Sequence, residues 1–160
     1  MQLPSSLISV ADAAVQNAEQ AGYFQQWPSE IADQFHFVSG LSTFITEAIH
    51  RDERLAQDLP IMLAESSRHQ TYRARLAALL AECQDEMAGH RVLRQFRNRE
   101  MVYIAWKDFT HAWTLEASLS HLSQLAEAMI VETYQWQYQI CCREWGTPTN
   151  AEGKAQPMLI

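Results

Sequence analysis

Apolar residues recur at helical spacing along most of this chain, and this periodicity constrains the fold more than any other feature of the sequence. Apolar residues three and four positions apart share one face of an α-helix. Glycine and proline, which interrupt helices, number only five each among 160 residues, and they fall at the expected boundaries. The pattern predicts helices at about residues 6–21, 28–38, 41–49, 52–59, 72–83, 85–111 and 114–141.

Three of these boundaries depend on particular residues. Residues 39–40 (Ser-Gly) are expected to interrupt or kink the second segment. Pro60 is expected to end the short helix before it, because proline has no backbone N–H to donate. Thr114 is a favourable N-cap residue and is expected to begin the last helix.

The predicted helix at residues 85–111 is apolar on two sides, which indicates a central helix buried between neighbours. Ile104 and Trp106 are therefore expected to be buried. One side is lined by Leu93, Phe96, Met101, Ile104 and Ala105, and the other by Val102, Trp106, Phe109 and Trp113.

The last predicted helix is about 30 residues long, or roughly 45 Å. Its apolar residues form one stripe that is expected to face the core. The stripe consists of Leu115, Leu119, Leu122, Ala126, Met129, Ile130, Thr133, Trp136, Ile140 and Cys141.

Together these features predict an all-α protein, an irregular helical bundle with a long C-terminal helix followed by a short extended tail. Residues 1–145 are expected to form a helical subdomain. Residues 157–160 are apolar and strand-like, and such a strand needs a sheet that buries it. Residues 146–160 are therefore expected to be a linker and the start of the first strand of a missing domain.

The charge and composition argue against two classes of partner, nucleic acids and membranes, and indicate the cellular compartment. The net charge is −7, with 12 Lys and Arg against 19 Asp and Glu, so no nucleic-acid partner is expected, because phosphate binding depends on cations. No stretch approaches the ~20 apolar residues that span a bilayer, so no membrane partner is expected. Three cysteines are an odd number, two of them adjacent, which favours a reducing cytoplasm over a disulfide framework.

The carboxylates and histidines provide no catalytic, cofactor-binding or metal-binding prediction. Metal-dependent phosphoryl and nucleotidyl transfer needs carboxylates close together, but the sequence has no Asp-x-Asp and no Gly-rich phosphate loop. Glu47 and His50 have the E-x-x-H spacing of di-iron bundles, which need the motif twice and two further glutamates. The alternative, which we prefer, is a polar edge on a half-buried helix.

Arginine and tryptophan provide the candidate contact residues. Arg91, Arg94 and Arg97 follow at three-residue spacing, with Arg99 nearby, and this cluster either contacts an anion or a partner or pairs with carboxylates of neighbouring helices. Trp145 lies where the helices would meet a further domain. The candidate interdomain or partner contacts are Arg94, Arg97, Arg143 and Trp145.

Several blocks of the sequence resemble one protein family. Residues 141–160 (CCREWGTPTNAEGKAQPMLI), 93–97 (LRQFR) and 101–106 (MVYIAW) carry the resemblance, and residues 42–45 (STFI) match more weakly. They resemble the glutamate–ammonia-ligase adenylyltransferases, also called glutamine synthetase adenylyltransferase/adenylyl-removing enzymes. Tyr103 stands where that family often has arginine.

The resemblance implies a function for a longer parent protein. Its N-terminal half would remove AMP from a tyrosine of glutamine synthetase by phosphorolysis, and its C-terminal half would attach AMP from ATP. Mg²⁺ and ATP or ADP are the implied cofactors. The implied partners are glutamine synthetase, the PII signalling protein and, in cis, a polymerase-β-like nucleotidyltransferase domain that would follow residue 160.

Two hypotheses follow for the chain itself. In the first, residues 1–145 are a scaffold for the adenylyl-removing half, inactive alone because the metal-binding carboxylates lie in the next domain. In the second, the chain is a stand-alone helical adaptor that binds proteins through its arginine and tryptophan surface.

Overall fold

The computed structural model describes residues 2–156, which form seven α-helices, two 3₁₀ turns and no β-strand. This confirms the all-α prediction. No helix in this described part is long and apolar enough to cross a membrane. The helices are α1 (Ser5–Gln20), α2 (Ser29–Leu41), α3 (Thr43–Arg51), α4 (Glu53–Ala64), α5 (Tyr72–Ala81), α6 (Glu86–Phe109) and α7 (Leu115–Trp145), and the 3₁₀ turns are Tyr23–Gln25 and Arg68–Thr71.

Side-chain caps fix where four of the helices begin. The side chains of Ser42, Asp52, Asp85 and Thr114 each accept a hydrogen bond from the backbone N–H three residues ahead, at 2.7 to 3.4 Å. Such caps satisfy one of the unpaired N–H groups of the first helical turn. Thr114 is therefore the N-cap of α7, as predicted.

Pro60 does not end its helix, and that prediction is wrong. It lies inside α4, which continues to Ala64. A proline at this position leaves the carbonyl four residues earlier, that of Ala56, without its helical donor. The indole Nε1 of Trp27 donates to this carbonyl at 2.7 Å. The helix continues because a buried tryptophan replaces the missing hydrogen bond.

The break expected at residues 39–40 comes two residues later. Helix α2 runs through Ser39 and Gly40, and the chain becomes extended only at Ser42, with φ −147° and ψ 106°. Gly40 lies directly under the terminal methyl groups of Leu3 and close to Ala11. The glycine therefore allows α1 and the N-terminal segment to approach α2 closely.

Helix α6 is the central helix of the bundle, as predicted. It contacts α2, α3, α4, α5 and α7. Trp106 is 1% exposed and Ile104 is 3% exposed, while Phe96 and Val102 are also buried. Its burial on two sides follows from these neighbours, because only an enclosed helix can bury two apolar faces.

The predicted apolar stripe of α7 is only partly buried, and the prediction is wrong for four of its ten residues, Leu115, Leu119, Ala126 and Ile130, which are exposed. Trp136 is buried and Leu122, Met129 and Ile140 are half-buried. Leu115, Leu119 and Ile130 are 66%, 53% and 57% exposed. The residues that α7 buries are Ser118, His121, Leu125, Ala128, Glu132 and Trp136.

Polar side chains can occupy the buried face of α7 because the neighbouring helices supply partners. The hydroxyl of Ser118 donates to Asp108 at 2.6 Å. Glu132 accepts from Nε of Arg73 on α5 at 2.7 Å. Buried polar groups are tolerated when they are hydrogen-bonded in this way.

After α7 the chain turns back toward the helix. Gly146 has φ +86° and ends α7, and residues 149 and 155 then form an isolated antiparallel bridge. The Tyr138 hydroxyl donates to the Gln156 carbonyl at 2.9 Å. The expected strand at residues 157–160 lies outside the described residues, and the division at residue 145 stays a prediction.

Candidate functional site

Four charged residues meet between the second 3₁₀ turn, α5 and α6, and we call them the central charge cluster: Glu65, Arg68, Arg75 and Glu100. Arg68 binds Glu100 through two parallel hydrogen bonds, from Nε and Nη2, both at 2.7 Å. Arg75 Nη1 donates to the same carboxylate at 2.8 Å, and Arg68 Nη1 donates to Glu65 at 2.6 Å. One carboxylate on α6 therefore holds two guanidinium groups from the preceding segment.

The centre of the cluster is withdrawn from solvent, whereas the side chains of Arg75 and Glu65 at its edge are 29% and 42% exposed. Glu100 is 1% exposed and Arg68 is 8% exposed. Burial opposes the charge on Arg68, but the hydrogen bonds and charges of Glu100 and Glu65 outweigh it and raise the pKa of Arg68 above its ordinary value. Arg68 thus remains charged, and removal of Glu100 would leave this buried charge uncompensated.

Aromatic rings surround the guanidinium groups. Arg75 lies 5.5 Å from the Tyr72 ring and 5.3 Å from the Phe96 ring, and Arg68 lies 5.7 Å from the Tyr103 ring. The Tyr103 hydroxyl donates to the Glu65 carbonyl at 2.7 Å. Burial raises the pKa of Tyr103, so its hydroxyl keeps its proton. Tyr103, in the block that resembles the family, therefore helps to enclose the cluster.

A cleft of about 500 Å³ lies beside the cluster. The residues that line it include Arg54, Arg68, Arg75, Arg99 and Glu100. Arg99 donates to Asp58 on α4 at 2.5 Å. Of the two alternatives for the arginine cluster, an anion or partner contact and pairing with carboxylates of neighbouring helices, Arg99 therefore follows the second.

A second buried polar group lies next to the charge cluster. The ring of His121 on α7 stacks on Trp113 at 3.9 Å between centroids, and His69 lies 4.5 Å away. Burial, then the neighbouring His69, lowers the pKa of His121 to about 4. The Tyr72 hydroxyl is 3.3 Å from Nδ1 of His121. His121 is therefore neutral at pH 7 and packs as a polar aromatic ring.

Arg94 and Arg97 are both exposed on α6. Arg97 binds the side-chain oxygen of Asn98 at 3.1 and 3.4 Å. Arg94 makes no ion pair with any residue in the described part of the chain. Their guanidinium groups are thus accessible on the surface, but whether they contact a partner stays a prediction.

Arg143 and Trp145 lie in the last turn of α7, and Trp145 is 80% exposed. Gly89 on α6 packs against the Trp136 ring, which fixes the alignment of these two antiparallel helices. Since a helix rises 1.5 Å per residue, Arg94 and Arg143 lie about 18 Å apart along the bundle axis. Arg94 and Arg143 therefore lie at different levels of the bundle, and the role of the four predicted contact residues stays a prediction.

Sequence reasoning missed the central charge cluster. Arg68 and Glu100 are 32 residues apart, and no motif spacing links them. The only available signal was Glu100 in a helix apolar on two sides, since a carboxylate in such a helix needs a buried partner. Glu47 forms an exposed ion pair with Arg51 at 2.9 Å, and residues 2–156 contain no group of three or more His, Cys, Asp or Glu that could hold a metal ion.

Comparison with known proteins identifies the family. The family model described as glutamate-ammonia ligase adenylyltransferase matches residues 32–160. Two relatives carry the name bifunctional glutamine synthetase adenylyltransferase/adenylyl-removing enzyme. The relative from Vibrio parahaemolyticus is 81% identical over all 160 residues, and the relative from Shewanella woodyi is 37% identical over 131 residues, which are 82% of this chain.

The chain spans only 17% of the Vibrio protein, and its match covers 14% of the Shewanella protein. Family membership rests on the match over most of the chain and on the identity over its whole length. The chain belongs to the glutamate–ammonia ligase adenylyltransferase family.

Proposed function

We propose that this chain is the N-terminal helical part of a bifunctional enzyme that adenylylates glutamine synthetase and removes the adenylyl group by phosphorolysis. In this proposal the bundle is a scaffold for the adenylyl-removing half. Support comes from the two relatives that carry this activity in their names. The parent would act in the cytoplasm on glutamine synthetase, under control of the PII signalling protein.

The main observation in support of the scaffold role is that the carboxylate of Glu100 in the central charge cluster is fully occupied by hydrogen bonds from within the bundle. Both oxygens of Glu100 accept hydrogen bonds from guanidinium groups, and the carboxylate is 1% exposed. A general base or a nucleophile needs a lone pair within reach of substrate. These charges instead tie the 3₁₀ turn and α5 to α6, which is a structural task.

The cluster does not fit the cofactors expected for the parent. A magnesium ion at Glu100 would have to displace Arg68 and Arg75, and their positive charges would repel it. We therefore propose that Mg²⁺ and ATP or ADP are held by a nucleotidyltransferase domain elsewhere in the longer protein, which these helices support in cis.

A phosphorolysis assay tests the inactivity of this chain. Adenylylated glutamine synthetase, inorganic phosphate and Mg²⁺ are mixed with the 160-residue chain, with the longer protein as positive control. We expect ADP from the longer protein only. Release of ADP by the chain alone would overturn the proposal.

A stand-alone adaptor is the second candidate, and the exposed side chains of Arg94, Arg97, Arg143 and Trp145 favour it. Such surface arginine and tryptophan residues are typical of interface contacts. The adaptor predicts that removal of residues 146–160 leaves partner binding unchanged. The scaffold predicts that the same removal in the longer protein uncouples the bundle from the catalytic half and lowers adenylyl removal.

A further inference from the structure

Four exposed apolar side chains form a row on the surface of α7 that faces away from the bundle, beside the exposed polar residues 116, 120, 123 and 127, and we call this row the outer face of α7: Leu115, Leu119, Ala126 and Ile130. All four side chains are exposed, and the three larger ones are more than half exposed. At 100° per residue they fall within an arc of about 60° and extend over roughly 22 Å of helix. A single exposed leucine is ordinary, but several exposed aliphatic side chains on one side of a helix are typical of an interaction surface.

The outer face also lacks the charges that a solvated helix normally carries. Between residues 117 and 142 the only charged side chains are Glu127 and Glu132. Glu132 is buried against Arg73, so Glu127 alone is available to solvent over 26 residues. Depletion of charge together with exposed aliphatic side chains distinguishes interfaces from ordinary surface.

The outer face continues into the place where the chain turns back. Ala126, Ile130, Tyr134 and Tyr138 follow at four-residue spacing, which forms one ridge of the kind that helices use for packing. The Tyr134 and Tyr138 rings stack at 6.0 Å. The Tyr138 hydroxyl binds the carbonyl of Gln156, so polypeptide that continues past Gln156 starts beside this ridge.

We propose that the outer face of α7 is the docking surface for further polypeptide of the same longer protein, packed in cis through an apolar face of its own. This inference rests on the proposed function, in which the chain is one part of that protein. The Vibrio relative has about five-sixths of its length outside the matched part. A segment tethered beside the ridge has an effective concentration in the millimolar range, which favours it over a separate partner.

Thiol labelling in the longer protein tests this proposal. Cys83, Cys141 and Cys142 are first replaced by serine, and single cysteines are then introduced by Ile130→Cys or Leu119→Cys on the outer face. Ile61→Cys on α4 and Met87→Cys on α6 are matched controls, because these side chains are 73% and 75% exposed. Each maleimide rate is divided by the rate of the same variant in denaturant.

We expect normalised labelling at positions 130 and 119 to be at least about tenfold slower than at positions 61 and 87, since it requires opening of the docked face. Equal rates at all four positions would overturn the proposal. Protection that disappears on dilution to a monomer would assign the face to a second copy, and protection that needs added glutamine synthetase would assign it to that partner; both results would also overturn it.

The same samples are assayed for ADP release from adenylylated glutamine synthetase. Activity with unprotected outer-face cysteines would contradict docking in cis and leave the proposed function intact. Protection without activity would contradict the proposed function and leave the docking surface intact.

Discussion

The two longest helices use their residues in opposite ways. Helix α6 buries large apolar side chains such as Trp106 on two sides and encloses the carboxylate of Glu100. Helix α7 buries polar side chains such as His121 and leaves Leu119 and Ile130 exposed. The position of a helix among its neighbours, rather than its apolar content, therefore decides what it buries. We infer that α6 stabilises the bundle and that α7 connects the bundle to further polypeptide of the longer protein.

Equal truncations of one tryptophan on each helix should give the largest contrast in stability. Trp106 is 1% exposed and its indole donates to Gln34 at 2.8 Å, so Trp106→Ala should lower the free energy of unfolding by about 3–5 kcal/mol. Trp145 is 80% exposed, and Trp145→Ala should change it by less than about 0.5 kcal/mol. Urea unfolding of the 160-residue chain measures both. Similar losses of unfolding free energy in the two variants would show that α6 and α7 do not differ in how much their tryptophans stabilise the bundle.

Removal of one buried negative charge from each helix should give the next largest difference in stability between α6 and α7. Glu100→Gln leaves the guanidinium groups of Arg68 and Arg75 without their carboxylate, which should cost about 3–5 kcal/mol. Glu132→Gln weakens a pair with Arg73, whose side chain is 52% exposed, and solvent screening reduces that loss to about 1 kcal/mol. Chemical denaturation at pH 7 measures the free energy of unfolding of both variants. A smaller loss for Glu100→Gln than for Glu132→Gln would contradict the structural role of the central charge cluster.

A methyl group added where α6 meets α7 should have an intermediate effect. Gly89→Ala places a Cβ against the ring of Trp136, and such overpacking typically costs about 1–3 kcal/mol. Gly40→Ala is the matched control, because its Cβ meets the flexible methyl groups of Leu3 and a gain in helix propensity of about 1 kcal/mol offsets the crowding. Thermal unfolding should rank position 89 as the more sensitive. The reverse order would mean that the two long helices are not in close contact there.

The smallest effect concerns the pH dependence of stability through His121. Burial and His69 lower its pKa to about 4 from an ordinary value of 6.5, so the unfolded chain binds the proton more tightly than the folded one. Stability is therefore lost as pH falls from about 6.5 toward 4, with about 1 kcal/mol of that loss between pH 7 and pH 5.5. His121→Phe should remove this part of the slope, while the exposed control His50→Gln should leave it. An unchanged slope in the phenylalanine variant would show that folding does not lower the pKa of His121.

Most of the helical architecture could be predicted from sequence, because local rules set it. The N-cap at Thr114 and the double apolar faces of α6 depend on residues close in sequence. The continuation of α4 through Pro60 could not be predicted. It depends on Trp27, which is 29 residues away from the carbonyl that it binds, and only the fold brings them together.

The candidate site was less accessible to sequence reasoning. Arg94 and Trp145 were recognised as exposed contact candidates because charge and aromatic character are visible in the sequence. The pairing of Arg68 with Glu100 was not, because buried ion pairs between distant segments have no fixed spacing. The apolar stripe of α7 is visible in the sequence, but periodicity alone cannot distinguish the residues that pack on the bundle, such as Trp136, from those that remain exposed, such as Ile130.

One measurement tests most directly whether these helices support chemistry without performing it. In the longer protein, Glu100→Gln is compared with wild type for its unfolding midpoint and for kcat of ADP release from adenylylated glutamine synthetase, per folded molecule. We predict a clearly lower midpoint with kcat within about twofold of wild type, because the cluster holds helices and touches no substrate. A kcat reduced by about a hundredfold in a variant that remains folded would contradict the account.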